Sequence, residues 1–420
     1  MNKVKIDEII INHYKSIKNP IHLRDFLGFQ ILVGPNNAGK TNILDAINLF
    51  FNSNLKEERF FDGDGDAKMT IIINNEKIVS YYKNGVVTNS FSEDIRKSFV
   101  RINDVINYSQ VAKEIKKFKF EHPQEYNAFS NTLENYFKEI EINEDLFFLN
   151  IYADQKTRSI ERIGDGFKRL FVILYYIFHP QYNIILIDEP EIHLHPSIIK
   201  RFLWVLEEKK SDKQIFFTTH HPTFIQAKNL VNIWRVVRNE YGSTAVYGFY
   251  EKGINLNRFV QEINDENSNM LFADKVLLVE GISDAIFMRE MIRRFYKKEI
   301  DISVVYTSGK GTIDLYAKIC EIFYIPYSIM LDSDALESPS LLRIKKIPKF
   351  KKSDNHQDKI KKLKENEIFI LDGDLEYVYP EQYRNKDSKP LRALEISQKI
   401  TKEDLNSKKM SVIKELLEKI

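Results

Sequence analysis

The chain has 420 residues, 43% hydrophobic and 29% charged, enough apolar material for true cores, which excludes wholesale disorder. Lys and Arg number 62 against 60 Asp and Glu, so the net charge of +2 announces no nucleic-acid partner and any basic surface must be local. A single cysteine, Cys320, excludes a disulfide framework and any zinc site built on several cysteines.

At about 150 residues per domain this length predicts two or three domains. The longest apolar run is nine residues, Leu170 to Phe178, far below the ~20 that span a bilayer. The start, MNKVKIDEIII, mixes charges with its apolar residues and lacks a signal-peptide core. The expectation is a soluble cytoplasmic protein with no membrane contact.

In chain order, residues 3–23 alternate apolar and polar and predict two antiparallel strands. Phe29 to Val33 reads as a strand, Asn42 to Phe51 as a helix, and Lys68 to Val87 as a hairpin or meander turned at Asn74–Asn75 and Asn84–Gly85. Residues 93–146 are charged and helical in tendency, an expected insertion and a candidate dimerisation element. Gly166 to Phe178 predicts a helix, Asn183 to Ile187 a buried strand, Ser197 to Lys209 a helix, and Gln214 to Thr218 a strand. The chain turns polar over Asn255–Asn269, which sets expected domains at 1–262 and 263–420. A strand (Lys275 to Val279), helix (Asp284 to Tyr296), strand (Ile302 to Tyr306), helix (Thr312 to Ile322) and strand (Tyr327 to Leu331) follow, a βαβαβ pattern with a parallel sheet.

Two constellations carry chemistry. Gly34-Pro35-Asn36-Asn37-Ala38-Gly39-Lys40-Thr41 satisfies G-x-x-x-x-G-K-[ST], between a strand and a helix. Its glycines let backbone N–H groups curl round phosphate oxygens at a helix N-terminus. Lys40 is expected to reach the β- and γ-phosphates and Thr41 to bind Mg²⁺, which predicts ATP as cofactor. The buried run Ile184 to Ile187 delivers Asp188 and Glu189, the first to hold Mg²⁺ and the second to polarise an attacking water.

The second constellation is acidic. Val276 to Val279 leads into Glu280-Gly281 with Asp284 following, and Ser328 to Leu331 leads into Asp332-Ser333-Asp334. In an open parallel sheet the carboxyl ends of strands share one edge. Carboxylates gathered there need cations to neutralise them, and oxygen ligands suit Mg²⁺ or Mn²⁺. Two such ions can activate water and stabilise a leaving oxygen in phosphodiester cleavage. Ten Lys or Arg but only Asp354 and Asp358 lie between Leu341 and Lys364, a local charge of +8 that fits a polyanion contact beside this edge.

GPNNAGKTN, IDEPEIHLHP and TTHHP together resemble ABC-type ATPases of the SMC-like branch, and most closely the OLD (overcoming lysogenization defect) family, over most of residues 1–250. The resemblance places the ABC signature at Ile163 to Arg169, with Asp165-Gly166 departing from the usual Ser-Gly-Gly-Gln. It implies that Gly164 and Gly166 contact nucleotide held by a second copy, hence a homodimer or higher homo-oligomer. It makes His220 the switch histidine and leaves the Q-loop glutamine unplaced, with Gln110 and Gln155 as weak candidates. His193, His195, His220 and His221, which could be counted as zinc ligands, are explained by the same motifs. Asp62 to Asp66 looks like a calcium loop but lacks the glycine and glutamate that such a loop needs.

VEGISD and LDSD, with Ser308-Gly-Lys-Gly311 between them, resemble the Toprim domain of topoisomerases, primases and OLD nucleases. The resemblance adds a second-metal ligand at Glu376, or Asp374, within Leu371 to Tyr377, and a lysine supporting cleavage at Lys389. The α/β fold it implies is an ABC-type ATPase domain followed by a Toprim domain. The implied function is ATP-regulated, metal-dependent DNA cleavage in anti-phage defence, with a possible partner protein of the same system. The alternatives are an ATP-switched sensor or clamp without cleavage, and a Toprim nuclease acting on RNA such as tRNA.

Overall fold

The computed structural model describes residues 4–52, 66–83, 86–88, 90–102, 106–137, 140–142, 148–151, 156–159, 162, 164–249, 267–309, 311–383 and 387–420. Asp62 to Gly65, Asn84–Gly85, Gln155, Ile163, Lys310 and residues 255–266 of the polar stretch lie outside them. The chain divides into two units, Met1–Tyr250 and Glu251–Ile420. Among the described residues no helix is long and apolar enough to cross a membrane.

The first unit is built on β1 (Ile6–Asn12), β2 (Ile21–Arg24), β3 (Phe29–Val33), α1 (Lys40–Phe51), β4 (Ala67–Ile73), β5 (Glu76–Lys83), β6 (Val86–Thr88) and β7 (Phe99–Ile102). Helices α2 (Tyr108–Glu121) and α3 (Pro123–Tyr136) follow, then β8 (Ile140–Ile142), β9 (Phe148–Ile151), β10 (Lys156–Ser159) and α4 (Asp165–Phe178). It closes with β11 (Ile184–Ile187), α5 (Pro196–Lys209), β12 (Gln214–Thr218), β13 (Ile233–Arg238) and β14 (Thr244–Gly248).

The central sheet runs β14-β13-β3-β12-β11-β7, parallel except for β14. Every residue of β3, β11 and β12 is buried, as expected of strands covered on both faces. The antiparallel sheet β2-β1-β4-β5-β6 instead alternates, with one face in the core. Asn74 and Asn75 both take positive φ (49° and 65°), which makes the tight turn between β4 and β5. One core joins the two sheets through α1, uniting Ile9 and Ile71, Leu44 and Phe51, and Leu186 and Phe216.

The stretch 93–146 is not simply helical. Phe99–Ile102 forms β7, the edge of the central sheet beside β11. The short helix Glu93–Lys97 and the longer α2 and α3 follow the expected tendency, and α2 and α3 pack on α4 through Phe118 against Tyr175 and Phe129 against Phe171.

In the second unit, β15 (Lys275–Val279), α6 (Ile282–Phe295), β16 (Ile302–Tyr306), α7 (Ile313–Ile322) and β17 (Tyr327–Leu331) reproduce the expected βαβαβ order. It continues through α8 (His356–Glu365), β18 (Ile368–Ile370), α9 (Lys389–Lys399) and α10 (Ser411–Lys419). The four strands are all parallel, in the order β16-β15-β17-β18. Leu277, Val279, Met330 and Phe369 share a core with Met288 of α6, Ile396 of α9 and Ile413 of α10. The three-residue β18 was not foreseen, and it carries Leu371 to Glu376 to the sheet's functional edge.

A buried amide joins the two sheets of the first unit. Gln214 Oε1 accepts from Ile6 N (2.6 Å) and Gln214 Nε2 donates to Ile6 O (2.7 Å). Replacing Gln214 with Leu strands both backbone groups, each worth about 1–3 kcal/mol. Urea unfolding of Gln214→Leu is expected to show about 2–4 kcal/mol of lost stability, and a variant as stable as wild type contradicts the role.

Candidate functional site

The nucleotide centre begins where β3 ends. Gly34 and Gly39 take φ of 139° and 102°, and Asn37 takes 59°, so the loop turns through the left-handed region three times. A Cβ on Gly34 would stand 2.0 Å from the Val236 carbonyl oxygen, so only glycine fits against β13. Lys40, the first residue of α1, is buried and donates to the Gly34 and Pro35 carbonyls at 3.0 and 2.9 Å. Burial lowers its ammonium to about 8, against the attraction of Glu189, Asp188 and Glu191.

Asp188 and Glu189 follow β11 on the same edge. Thr41 Oγ1 donates to Asp188 Oδ1 at 3.3 Å, and Thr218 Oγ1 donates to that same oxygen. Thr218 also accepts from Glu189 N (3.0 Å), so the end of β12 fixes both acidic residues. Arg169 is buried and donates to the Asp188 carbonyl. Glu189 holds a positive φ of 45°, and its Oε1 lies 3.5 Å from His220 Nε2. Burial, then Lys40, holds His220 below the usual imidazole range, which favours the neutral ring.

Asn36 to Asn42, Glu189, His220 and Arg238 line a cavity of about 420 Å³, so the predicted loop, carboxylate and histidine share one space. Gln110 is not in that lining; it donates to Glu114 at 3.1 Å on the surface of α2. Sequence reasoning missed two contributors. Arg238, on β13, brings a guanidinium to the cavity, with its Nε bonded to the Asn37 carbonyl (2.9 Å). Glu191 accepts from Thr219 Oγ1 (2.6 Å) and His220 N (2.9 Å), which sets the histidine's backbone. No motif pointed to Arg238; Glu191 stands inside IDEPE, but its spacing gave no hint of a bracing role.

His195 and His221 bond the backbone N–H two residues ahead, at Ser197 and Thr223. Gly164 and Gly166 part company. Gly166 is buried in α4, where a Cβ would meet the His193 carbonyl oxygen at 2.4 Å, while Gly164 faces open space.

The acidic centre lies at the carboxyl ends of the strands of the second unit. Glu280 follows β15, Asp332 and Asp334 follow β17, and Asp374 and Glu376 follow β18. Backbone bonds tie these ends together: Gly309 N donates to the Glu280 carbonyl (2.9 Å), and Ser333 N to the Gly373 carbonyl (2.9 Å). Burial, then Asp284, Glu280, Asp374 and Asp334, pushes Asp332 up to about 7. Burial, then Glu280 and Glu376, likewise pushes Asp284 up to about 6, although the Gly281 N–H bonds its Oδ2 at 2.8 Å. The parallel strands β15, β17 and β18 thus bring the carboxylates of three separate segments to one edge of the sheet.

Lys389, at the start of α9, pairs with Glu376 at 2.9 Å. That bond, with Asp374 and Asp332 nearby, raises its pKa. Asp374 instead caps the turn Leu375–Val378 by accepting from Tyr377 N (2.8 Å). Among the described residues no three His, Cys, Asp or Glu side chains stand in a ready ligating array. Asp284, Asp374 and Glu376 are each turned to a donor of the protein itself. The donor set is nonetheless all carboxylate, crowded and partly buried, which is the chemistry that divalent cations satisfy.

The basic run does not sit simply beside this centre. Lys346 Nζ donates to the carbonyl of Tyr327, the first residue of β17, at the sheet edge remote from Asp332. Arg343 pairs with Asp314, Lys362 with Asp354 and Lys364 with Glu415. The expected track adjoining the carboxylates is therefore corrected: part of its charge is neutralised, and part lies along the opposite edge.

Three family models match the chain. An AAA ATPase domain model covers residues 4–84, and an AAA domain model named for the AbiEii toxin of a Type IV TA system covers residues 131–226. The Toprim domain model of overcoming lysogenization defect protein-like chains covers residues 271–334, which include Glu280, Asp284, Asp332 and Asp334. Similar proteins are an OLD nuclease of Thermus scotoductus (30% identical, covering 36% of this chain and 30% of that protein) and the Old nuclease of Escherichia phage P2 (28%, covering 43% and 34%). The endonuclease GajA of Bacillus cereus VD045 is 26% identical over 49% of this chain and 37% of its own length. The matched segments thus span about a third of the length of these relatives. The chain carries AAA ATPase domain matches followed by a Toprim domain of the overcoming lysogenization defect protein-like kind, and over part of its length it is similar to OLD nucleases.

Proposed function

We propose that the chain is an ATP-regulated nuclease, in which the first unit binds and hydrolyses ATP and the acidic centre of the second hydrolyses phosphodiester bonds of DNA. The convergence of Glu280, Asp284, Asp332, Asp334 and Glu376, with Lys389 among them, carries this reading. The nuclease names of the three relatives support it.

At the nucleotide centre, Lys40 is held by two carbonyls on the cavity floor, ready to exchange them for the β- and γ-phosphates. Thr41 and Asp188 share a hydrogen bond and form the seat for Mg²⁺. Glu189 orients the attacking water, and His220 beside it senses the γ-phosphate. Gly164, open to solvent at the head of α4, presents the signature segment to nucleotide on a second copy, so ATP joins two chains. Gly166 serves that surface from within by seating α4 on the His193 backbone.

At the acidic centre, Glu280, Asp332 and Asp334 are the proposed first ligands, and Asp284 and Glu376 complete the set. Mg²⁺ or Mn²⁺, when bound, supplies charge neutralisation and an acidified water. Lys389 leaves Glu376 to meet the charge that develops on the cleaved phosphate. The family resemblance extends the proposal to a role in anti-phage defence.

Lys40→Ala is expected to lower ATP turnover at least ~100-fold, and turnover at the wild-type rate contradicts the assignment of the loop. Plasmid, linear DNA and tRNA, digested in parallel with Mg²⁺ or Mn²⁺, test the acidic centre. Wild type should cut DNA, with Asp332→Ala slower by at least ~100-fold and Lys389→Ala also slowed. Equal cleavage by wild type and Asp332→Ala removes the acidic centre from the reaction, and cleavage of tRNA alone replaces DNA with RNA.

A further inference from the structure

At the edge of the second unit's sheet where the strands begin lies a cavity of about 620 Å³, larger than the nucleotide cavity. Its lining includes Tyr324, Tyr327, Lys345, Lys346, Asn366 and Glu367. Tyr327 opens β17 and Glu367 precedes β18, so this cavity is a strand's length from the residues that follow Leu331 and Ile370. For five residues that is about 17 Å.

The cavity's charges are unequal in availability. Glu367 is bound to Lys275 (2.7 Å) and Ser328 (2.7 Å), and Glu321 accepts from Tyr327 Oη (3.2 Å). Lys346 lies 3.7 Å over the Tyr327 ring, with its ammonium on a carbonyl. Lys345 is exposed at the rim, and Tyr324 is 64% exposed on a turn with a φ of 51°. From there the chain returns alongside α8, placing Phe350 under Lys359 and Asp354 against Lys362. Lys349, Lys351, Lys352 and Lys361 are exposed along this return and, like Lys345, make no ion pair among the described residues. α8 reaches β18 through two residues, Asn366 and Glu367, so the cationic tract runs from the cavity back along the helix.

Exposed lysines in series fit a phosphate backbone, and an exposed aromatic ring at a cavity mouth fits an unstacked base. We propose that this edge is a second nucleic-acid contact, separate from the acidic centre, that holds a single-stranded segment of the substrate. Its phosphates lie along Lys345, Lys349, Lys351, Lys352 and Lys361, and one base stacks on Tyr324. A duplex keeps its bases inside the helix and cannot use the cavity, which is why a single strand is assigned. The proposal rests on the nucleic-acid reading above but not on cleavage.

The test is binding of a labelled oligothymidylate to the full chain in EDTA, across a salt series. Lys349→Glu, Lys351→Glu and Lys352→Glu combined should weaken binding more than ten-fold and flatten the log–log salt slope by about 2, at roughly 0.7 per phosphate contact. The corresponding Gln triple should fall between the two. Tyr324→Ala should weaken binding about ten-fold with an unchanged slope, because stacking releases no counterions. Wild-type affinity and slope in both sets of variants overturn the proposal. So does an equal loss for duplex and single strand, or full competition by AMP at oligonucleotide concentrations. Because EDTA prevents metal-dependent cutting, cleavage that persists with unresponsive binding sinks this inference alone. A responsive oligonucleotide with no cleavage in metal sinks only the nuclease reading.

Discussion

The structure of the second unit turns on one electrostatic constraint. Three buried parallel strands, β15, β17 and β18, end on one edge, and carboxylates follow each of them. The apolar side chains that bury the strands dictate this placement, so the acids cannot separate without undoing the core they share. Burial and mutual repulsion hold Asp332 at about 7 and Asp284 at about 6. A centre of this kind is unfavourable alone and favourable around cations, which is the physical basis of the metal binding proposed for it.

The first unit meets the same geometry with a different solution. β3, β11 and β12 are also parallel and fully buried, and they too deliver polar residues at their carboxyl ends. Here Lys40 is buried among Asp188, Glu189 and Glu191, so the acids have a resident cation. Thr218 then locks Asp188 and Glu189 to the sheet. In the proposed function that lysine prepares the site for an anionic phosphate. In the acidic centre, Lys389 pairs directly with Glu376 from a mostly exposed position and acts less strongly on Asp374 and Asp332, so most of the acidic charge has no resident cation in contact. One fold rule thus underlies both the proposed phosphate site and the proposed metal site, distinguished by where the lysine stands.

Much of this was legible in the chain. Gln214 to Thr218, Lys275 to Val279 and Tyr327 to Leu331 appear as strands with the expected bounds, because largely apolar runs leave little choice in a doubly covered sheet, and Ile302 to Tyr306 matches its expected bounds at the sheet's edge. What escaped was set by tertiary pairing. β7 and β18 are four and three residues long, too short for a period to show, and they exist because β11 and β17 offer them an edge. Arg238 reaches the cavity lined by Asn36 to Asn42 only because β13 pairs with β3, across about 200 residues of sequence. The basic run misled for a similar reason. It follows Asp334 directly in sequence, yet the chain crosses to the other end of β17 before Lys346 finds Tyr327.

The proposed function requires that the carboxylates behind β15, β17 and β18 form one divalent-metal centre. Calorimetric titration of Mn²⁺ into the Lys40→Ala, Thr41→Ala double variant, in which the nucleotide centre is silenced, tests it most directly. Saturable uptake is expected, weakened at least ~10-fold when Glu280→Gln or Asp332→Asn is added. Uptake that is absent, or identical in all three proteins, would contradict it.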